Sequence, residues 1–425
     1  MKITLLALAC TLPALASVNA QDGVKEEAQE ESPKVVENIH TSPDYATTKN
    51  NSNFEATGED GLIETVAKIE KKTSKFNLYL NMHSDFAASW IGSHFDDGKF
   101  EMKQLRIEAL GRINDWLTYR YRQRLNKGDD TKYYDNVLGS IDIAGIGLNY
   151  GKWQAFIGKQ CAAYGGIQFD ENPIEIYQYC DMIDYMSNFM TGFQVGYNFT
   201  PTQQLNFQML NSLTNSSEKM YGDWEKTKMP MVYTLNWNGQ IVNAPGFKWN
   251  TRWSASFMQE VKGKHMWYYA LGNQFTFSPT VGAFVDWMYS REGVDRKGIM
   301  TEILGFYNEA PGNAANVCYN STVAHVNWRF NPRWNWFAEG MYETAGLTKN
   351  ASEMAVKGNY RTTWTWVTGI EFYPFRDRTL HFFATYVGRM YRFSSRAVSL
   401  PDMHSNSNYS TSRLSVGFIW QMPVF

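Results

Sequence analysis

The sequence predicts an all-β protein, a 16-stranded antiparallel transmembrane β-barrel preceded by a short N-terminal periplasmic segment. Three observations point there. Aromatic residues make up 16% of the 425-residue chain, yet apolar residues reach only 44% and the mean hydropathy is −0.43. From Phe76 almost to the last residue the apolar period is two, the mark of strands with one greasy face. Turn residues cut this stretch into an even number of strands. Beyond the N-terminus no run approaches the ~18 to 20 apolar residues of a membrane-spanning helix. A net charge of −2 without a basic cluster also argues against nucleic acid as a partner.

The chain opens MKITLLALACTLPALASVNA, with Lys2, an apolar stretch and a small-x-Ala site at Val18-Asn19-Ala20. Residues 1–20 therefore read as a signal peptide and the protein as exported. Cys10 sits too early for a lipoprotein cysteine. Cleavage leaves Cys161, Cys180 and Cys318, an odd set that makes no disulfide scaffold. Residues 21–60 hold ten acidic residues against three lysines, net −7, and read as a disordered segment. In 61–75, Leu62, Val66, Ile69 and Thr73 follow 4, 3, 4 spacing, which suits either a short solvated helix or a trimerising stub.

Residues 76–425 form the barrel. In the stretch 247–257, Phe247, Trp249, Trp253 and Phe257 lie on one face and Lys248, Asn250, Arg252, Ser254 and Ser256 on the other. A soluble sandwich would fill its apolar face mostly with Val, Ile and Leu. Here Trp and Tyr crowd that face, as in the aromatic girdles of a lipid-facing barrel with a polar interior. Short turns at Asn114-Asp115, Gly151-Lys152, Thr200-Pro201, Asn238-Gly239, Ser278-Pro279, Asn331-Pro332 and Phe375-Arg376-Asp377 mark seven hairpins. With an opening strand near 76–88 and a closing strand near 411–425, they make sixteen. Longer connections at 127–135, 161–190, 212–228, 292–316, 344–358 and 391–410 fall on the opposite side, the asymmetry of outer-membrane barrels. Sixteen strands leave an aqueous channel.

The first hairpin carries the candidate chemistry. A turn over Asn114 to Trp116 pairs Arg112 with Thr118, Leu110 with Arg120, Glu108 with Arg122 and Arg106 with Arg124. Leu105, Ala109, Tyr119 and Tyr121 then face lipid. Arg106, Arg120, Arg122 and Arg124 thus line the lumen, with Arg112, Lys248 and Arg252 as further candidates for an anion pathway. Guanidinium stays charged at any physiological pH, and rungs about 7 Å apart let an anion find its next site before leaving the last. The same arginines, facing acids across the wall, could instead only stiffen it. Glu108 partly cancels Arg122, and Asp142, Asp286 and Glu339 add negative charge.

No zinc spacing surrounds His83, His325 or His381, and no Gly-flanked serine elbow occurs. Neither a catalytic residue, a metal site nor a cofactor is therefore expected. Asp402 and His404 could join a protease site only through distant partners. Gly145-Ile146-Gly147 lacks the strand-to-helix setting of a nucleotide loop and reads as easing strand packing.

The stretches MKQLRIEALGRINDWLTYRYRQRLN and GKQCAAYGGIQFDENPIEIYQYCDM, with NWNG and a terminal Phe, resemble the phosphate-selective porin O and P family from about Phe76 to the end. The resemblance implies a Gram-negative outer-membrane channel, a homotrimer, in which lumen arginines and an infolded third outer loop select small anionic solutes. That loop corresponds to Cys161 through Met190 and holds Asp170, Asn172, Pro173, Glu175, Tyr177 and Cys180. It is poor in Lys and Arg and rich in carboxylates. A Cys161–Cys180 disulfide would close it, worth ~3 kcal/mol in the chain-entropy model; free thiols packed against aromatics are the alternative. Two other readings stay open: a barrel acting through its loops as adhesin or receptor component, and a periplasmic all-β binding protein.

Overall fold

A computed structural model describes residues 75–128, 134–375, 379–401 and 406–424. The expected signal peptide, acidic segment and, apart from Lys75, the 61–75 helix lie outside these residues, as do Asp402, His404 and Phe425. Sixteen antiparallel strands close on themselves, each bonded to its sequence neighbours and the first to the last. They are β1 (Asn77–Ile91), β2 (His94–Arg112), β3 (Leu117–Arg124), β4 (Ile141–Tyr150), β5 (Trp153–Cys161), β6 (Phe189–Thr200), β7 (Gln203–Asn211) and β8 (Met231–Ala244). The second half comprises β9 (Phe247–Val261), β10 (Lys264–Ser278), β11 (Val281–Val294), β12 (Ala315–Asn331), β13 (Trp334–Leu347), β14 (Gly358–Phe372), β15 (His381–Phe393) and β16 (Tyr409–Pro423). Closure leaves no edge strand in the wall, which a sheet in hydrocarbon requires.

Of the expected turns, Phe375-Arg376-Asp377 falls mostly outside the described residues and one other is misplaced. Asn238-Gly239 lies inside β8, where Asn238 is opposite Gln204 on one side and Arg252 on the other. The chain reverses at Pro245-Gly246 instead, with Gly246 at φ +81°. An Asn-Gly pair is a turn signal where one face meets a dry core; on a strand lining water, asparagine is an ordinary inward residue. Four of the six long outer connections lie wholly within the described residues, and 127–135 and 391–410 do so in part. Two further reversals on that side are tight, at Gly92-Ser93 and Lys262-Gly263.

Alternation sorts the side chains as polar inside and apolar outside. On β14, Trp364 is 51% exposed while its neighbours Thr363 and Thr365 are 0% and 3%. The outward face of β10 carries Trp267 and Tyr269 toward one end, Leu271 in the middle, and Phe275 and Phe277 toward the short turns. These are two aromatic belts about an aliphatic waist. Outward asparagines are satisfied by indole donors: Asn273 Oδ1 accepts from Trp249 and Trp253 at 3.1 and 3.3 Å, and Asn320 Oδ1 from Trp287 at 2.8 Å. An unpaired amide in hydrocarbon would cost several kcal/mol.

Gly145, Gly147 and Gly158 let β3, β4 and β5 approach closely. A Cβ at Gly145 would sit 2.4 Å from the Ile157 carbonyl oxygen, and one at Gly147 would sit 2.3 Å from Thr118 Oγ1. The packing role expected of Gly145-Ile146-Gly147 is what the wall displays. Inside the barrel, the connection between β5 and β6 carries two short helices, α1 (Ile167–Asp170) and α2 (Asp181–Asp184). Much of the buried apolar surface is this loop packed against the inner wall.

Candidate functional site: the lumen constriction

The β2–β3 register matches the expected one: Arg106 opposite Arg124, Glu108 opposite Arg122, Leu110 opposite Arg120 and Arg112 opposite Thr118. Tyr119 and Tyr121 face outward, while Arg106, Arg120 and Arg122 are 3%, 8% and 1% exposed on the lumen side. Their partners differ from the simple cross-strand expectation. Glu108 is engaged by Arg120, whose Nε and Nη2 both lie 2.7 Å from Oε1, and Asn81 Nδ2 donates to Oε2 at 3.1 Å. Asp142 on β4 faces three guanidinium groups, Arg106 at 3.5 Å, Arg122 at 3.6 Å and Arg124 at 3.0 Å. Arg122 also lies 5.1 Å over the Phe189 ring. On this wall four guanidiniums face the carboxylates of Glu108 and Asp142. The wall borders a cavity of about 400 Å³ lined on its other side by Phe169, Pro173, Tyr179, Ile183 and the carboxylate Asp184 of the loop. Arg124, with 28% of its side chain exposed, is the most open of the four.

The other basic candidates do not join this cluster. Arg112 and Lys248 sit at the short-turn ends of β2 and β9. Arg252 is in the lumen, but its Nε donates to Asp170 at 2.8 Å, so it holds the loop.

That loop runs around the inner wall. Ala163 N donates to Gln208 Oε1 at 2.7 Å, Ser254 Oγ donates to the Tyr164 carbonyl, and Gly166 N donates to the Arg252 carbonyl at 3.1 Å. At α1, the amides of Ile167 and Gln168 both donate to Asp286 at 2.8 Å. Two glycines permit this approach: Gly166 takes φ +91°, and a Cβ on Gly272 would lie 2.7 Å from Gly166 Cα. Ile174 reaches the opposite wall, packing with Phe383 and Ile419 and meeting His83 Nδ1 through its carbonyl at 2.8 Å. Tyr177 then donates to Glu371 at 2.8 Å, and Arg413 donates to the Tyr177 carbonyl at 2.7 Å. At α2, Asp181 receives Arg361 and Arg389, the latter at 2.6 Å.

The constriction residues Asp170, Asn172, Pro173, Glu175 and Tyr177 therefore lie inside the barrel, and Cys161 and Cys180 are buried free thiols. The disulfide allowed by the spacing is not formed. Arg361, Arg389, Arg413, Glu343 and Glu371, which fasten the loop, escaped the sequence reading. Their signal was present, since each stands in alternation with an outward residue of its own strand, Tyr342, Trp364, Tyr386 or Val416 among them. His325 and His381 make hydrogen-bond contacts in the lumen: His325 Nδ1 lies 3.2 Å from Glu339 and His381 Nδ1 2.9 Å from the Thr379 carbonyl.

The two flanks of the loop differ in charge. Opposite the arginine wall, Glu171 and Glu175 of the loop face Glu339 and Glu371 across a second cavity. Burial pushes the Glu171 carboxyl up to about 8; His325 opposes this, while Glu339, Asp286 and Glu175 add to it. Burial likewise raises Glu175 to about 7, with His381 opposing and Glu371 adding.

A family model described as phosphate-selective porin O and P matches residues 76–421. Among solved structures, the chain is similar to the outer membrane channel DcaP of Acinetobacter baumannii. That match has 12% identity and a TM-score of 0.52, and it covers 83% of this chain and 99% of that one. It is similar also to an anion-selective porin from Comamonas acidovorans, with 8% identity, 82% and 99% coverage and a TM-score of 0.51. OmpF of Salmonella typhi, solved with daunomycin, gives 13%, 81% and 97%, and 0.51. At such identities the likeness is one of fold. No curated protein sequence matches the chain.

Proposed function

Because the chain belongs to the phosphate-selective porin O and P family, and is thus an outer-membrane porin, we propose that it prefers small, phosphate-like anions, which pass the third outer loop along the arginine wall. The observation that carries this reading is the grouping of three guanidiniums, Arg106, Arg122 and Arg124, around Asp142 beside the cavity. Fixed positive charge bordering a narrow aqueous space raises the local anion concentration. Because the arginines are already committed to carboxylates, no one site holds an anion tightly, which favours passage over trapping. Arg120 is neutralised by Glu108 and contributes little. The reading needs neither cofactor nor chemical step. Export by residues 1–20 and assembly as a homotrimer accompany it.

Reversal potential in a planar bilayer under a KCl gradient tests the proposal. The wild-type pore should favour chloride. Arg124→Gln should reduce that preference, and neutralising Arg106 as well should reduce it further. A cation-preferring wild-type pore would refute the selectivity. Folded protein that yields no conductance steps would instead favour the adhesin reading, in which the long loops are the working part.

The acidic flank adds a pH dependence. At pH 6 and below Glu175 and Glu171 are largely neutral; as pH rises through about 7 and about 8 they ionise in that order and add two negative charges beside the passage. The chloride preference should therefore fall between pH 6 and 9, and Glu171→Gln with Glu175→Gln should flatten that fall. A preference that stays level in the parent over this range counts against ionisation of the loop carboxyls.

A further inference from the structure

We propose that the cavity on the acidic flank of the loop, toward the short turns and facing β12 to β15, is a binding site for a primary ammonium group carried on a short apolar chain. The cavity has a volume of about 260 Å³, and Glu171, Glu175, Glu339 and Glu371 line it. Clustered carboxylates alone specify no ligand. The second observation is His381, which lines the same cavity and is 1% exposed. Its Nδ1 lies 2.9 Å from the Thr379 carbonyl oxygen. A carbonyl only accepts, so Nδ1 carries the proton, and in the neutral ring Nε2 presents a lone pair. Nε2 has no hydrogen-bond partner; it lies 3.5 Å from Glu175 Oε2 and 3.9 Å from Glu371 Oε1. Three acceptors thus converge, and Glu371 Oε1 already takes one donor, the Tyr177 hydroxyl at 2.8 Å, which leaves it one further lone pair. An alkylammonium head supplies three N–H donors and no acceptor, the complement of that arrangement.

A metal ion fits less well: among the described residues no group of three or more His, Cys, Asp or Glu is placed to hold one. The cavity also offers apolar surface. Tyr177 stacks on Phe337 at a centroid distance of 5.0 Å and 8° between planes, with Ile176 and Val367 beside them. A short methylene chain can lie there while its head meets the acceptors. Arg329, 4.3 Å over the Tyr373 ring, and His325 bring positive charge to the same wall, but the four carboxylates outnumber them. The inference goes beyond the anion reading, because it concerns the opposite flank of the loop and stands whether or not the pore prefers chloride.

The test uses the purified full-length chain in a planar bilayer at about pH 9, above the values of about 8 and about 7 taken by Glu171 and Glu175. n-Butylammonium is added on the short-turn side, with n-butanol and tetramethylammonium as comparisons. n-Butylammonium should reduce the single-channel current in a concentration-dependent way and n-butanol should not. Tetramethylammonium, which has no N–H, should act about tenfold more weakly, and Glu371→Gln should raise the half-blocking concentration of n-butylammonium about tenfold, as loss of a charged hydrogen bond implies. Glu175→Gln, on the loop rather than in the wall, gives the same reading if Glu371→Gln fails to insert. Equal block by tetramethylammonium, or parent-like block of the Glu175→Gln channel, would overturn the site. The reversal potential in the same recordings reports the anion preference separately.

Discussion

Asp142→Asn should destabilise the barrel by about 3–5 kcal/mol, the cost of removing one partner from a buried charge group. Asp142 is fully buried and is the carboxylate against which Arg106, Arg122 and Arg124 are all packed. Asparagine keeps the shape but removes the charge, leaving three guanidiniums crowded in one part of the wall. Their mutual repulsion then loses the carboxylate that all three share, and Glu108 is already engaged by Arg120. The expected result is a lower unfolding temperature of the detergent-solubilised barrel and a reduced yield of folded protein. Adding Arg106→Gln should restore part of the loss, because it removes one of the stranded charges, and the non-additivity of the double variant measures the coupling. Material that still inserts should show a stronger chloride preference than the parent. An Asp142→Asn barrel as heat-stable as the parent would mean that the guanidiniums are held by other groups.

Asp286→Ala should undock the start of the constriction loop. The carboxylate accepts from two consecutive backbone amides, Ile167 and Gln168, each at 2.8 Å. Hydrogen bonds to a charged acceptor contribute about 1.5–3 kcal/mol each. Losing ~3 kcal/mol shifts the ratio of docked to undocked loop by about a hundredfold. Single-channel conductance should rise and become noisier, and α1 should become open to proteolysis. Asp286→Asn, which retains one acceptor oxygen, should fall between parent and alanine. The far end of the loop should hold, since Arg361 and Arg389 still clasp Asp181 and Tyr177 still donates to Glu371. Unchanged conductance in Asp286→Ala would show that this distal clasp alone keeps the loop in place.

The barrel was legible because its signals are local. Inward and outward positions alternate along each strand, so Trp364 and Thr363 declare their faces without any knowledge of what lies opposite. The β2–β3 register followed from one short turn, and with it the lumen orientation of Arg106, Arg120, Arg122 and Arg124. The error at Asn238-Gly239 has the same origin: turn propensity is judged locally, and a polar strand interior resembles a loop until its neighbours are known.

The candidate site was legible only in part. Glu108 stands directly across from Arg122 in the register, yet its carboxylate meets Arg120, because long side chains lean along the strand to the diagonal neighbour. Asp142 was visible as an inward acid, but its position against three arginines depends on the pairing of β3 with β4. Nothing in 161–190 shows that Ile174 crosses to Phe383 and Ile419, or that Asp181 falls between Arg361 and Arg389.

Composition, alternation and turn spacing thus determined by themselves that this chain is a sixteen-stranded barrel with a polar lumen and a basic first hairpin. Those properties repeat along the chain and need no partner from elsewhere in it. Only the tertiary structure decided which acid meets which arginine, where the loop lies, and that its two flanks carry opposite charge. Each of these depends on groups remote in sequence that ring closure brings within a few ångströms, where Coulomb and hydrogen-bond energies outweigh local preference.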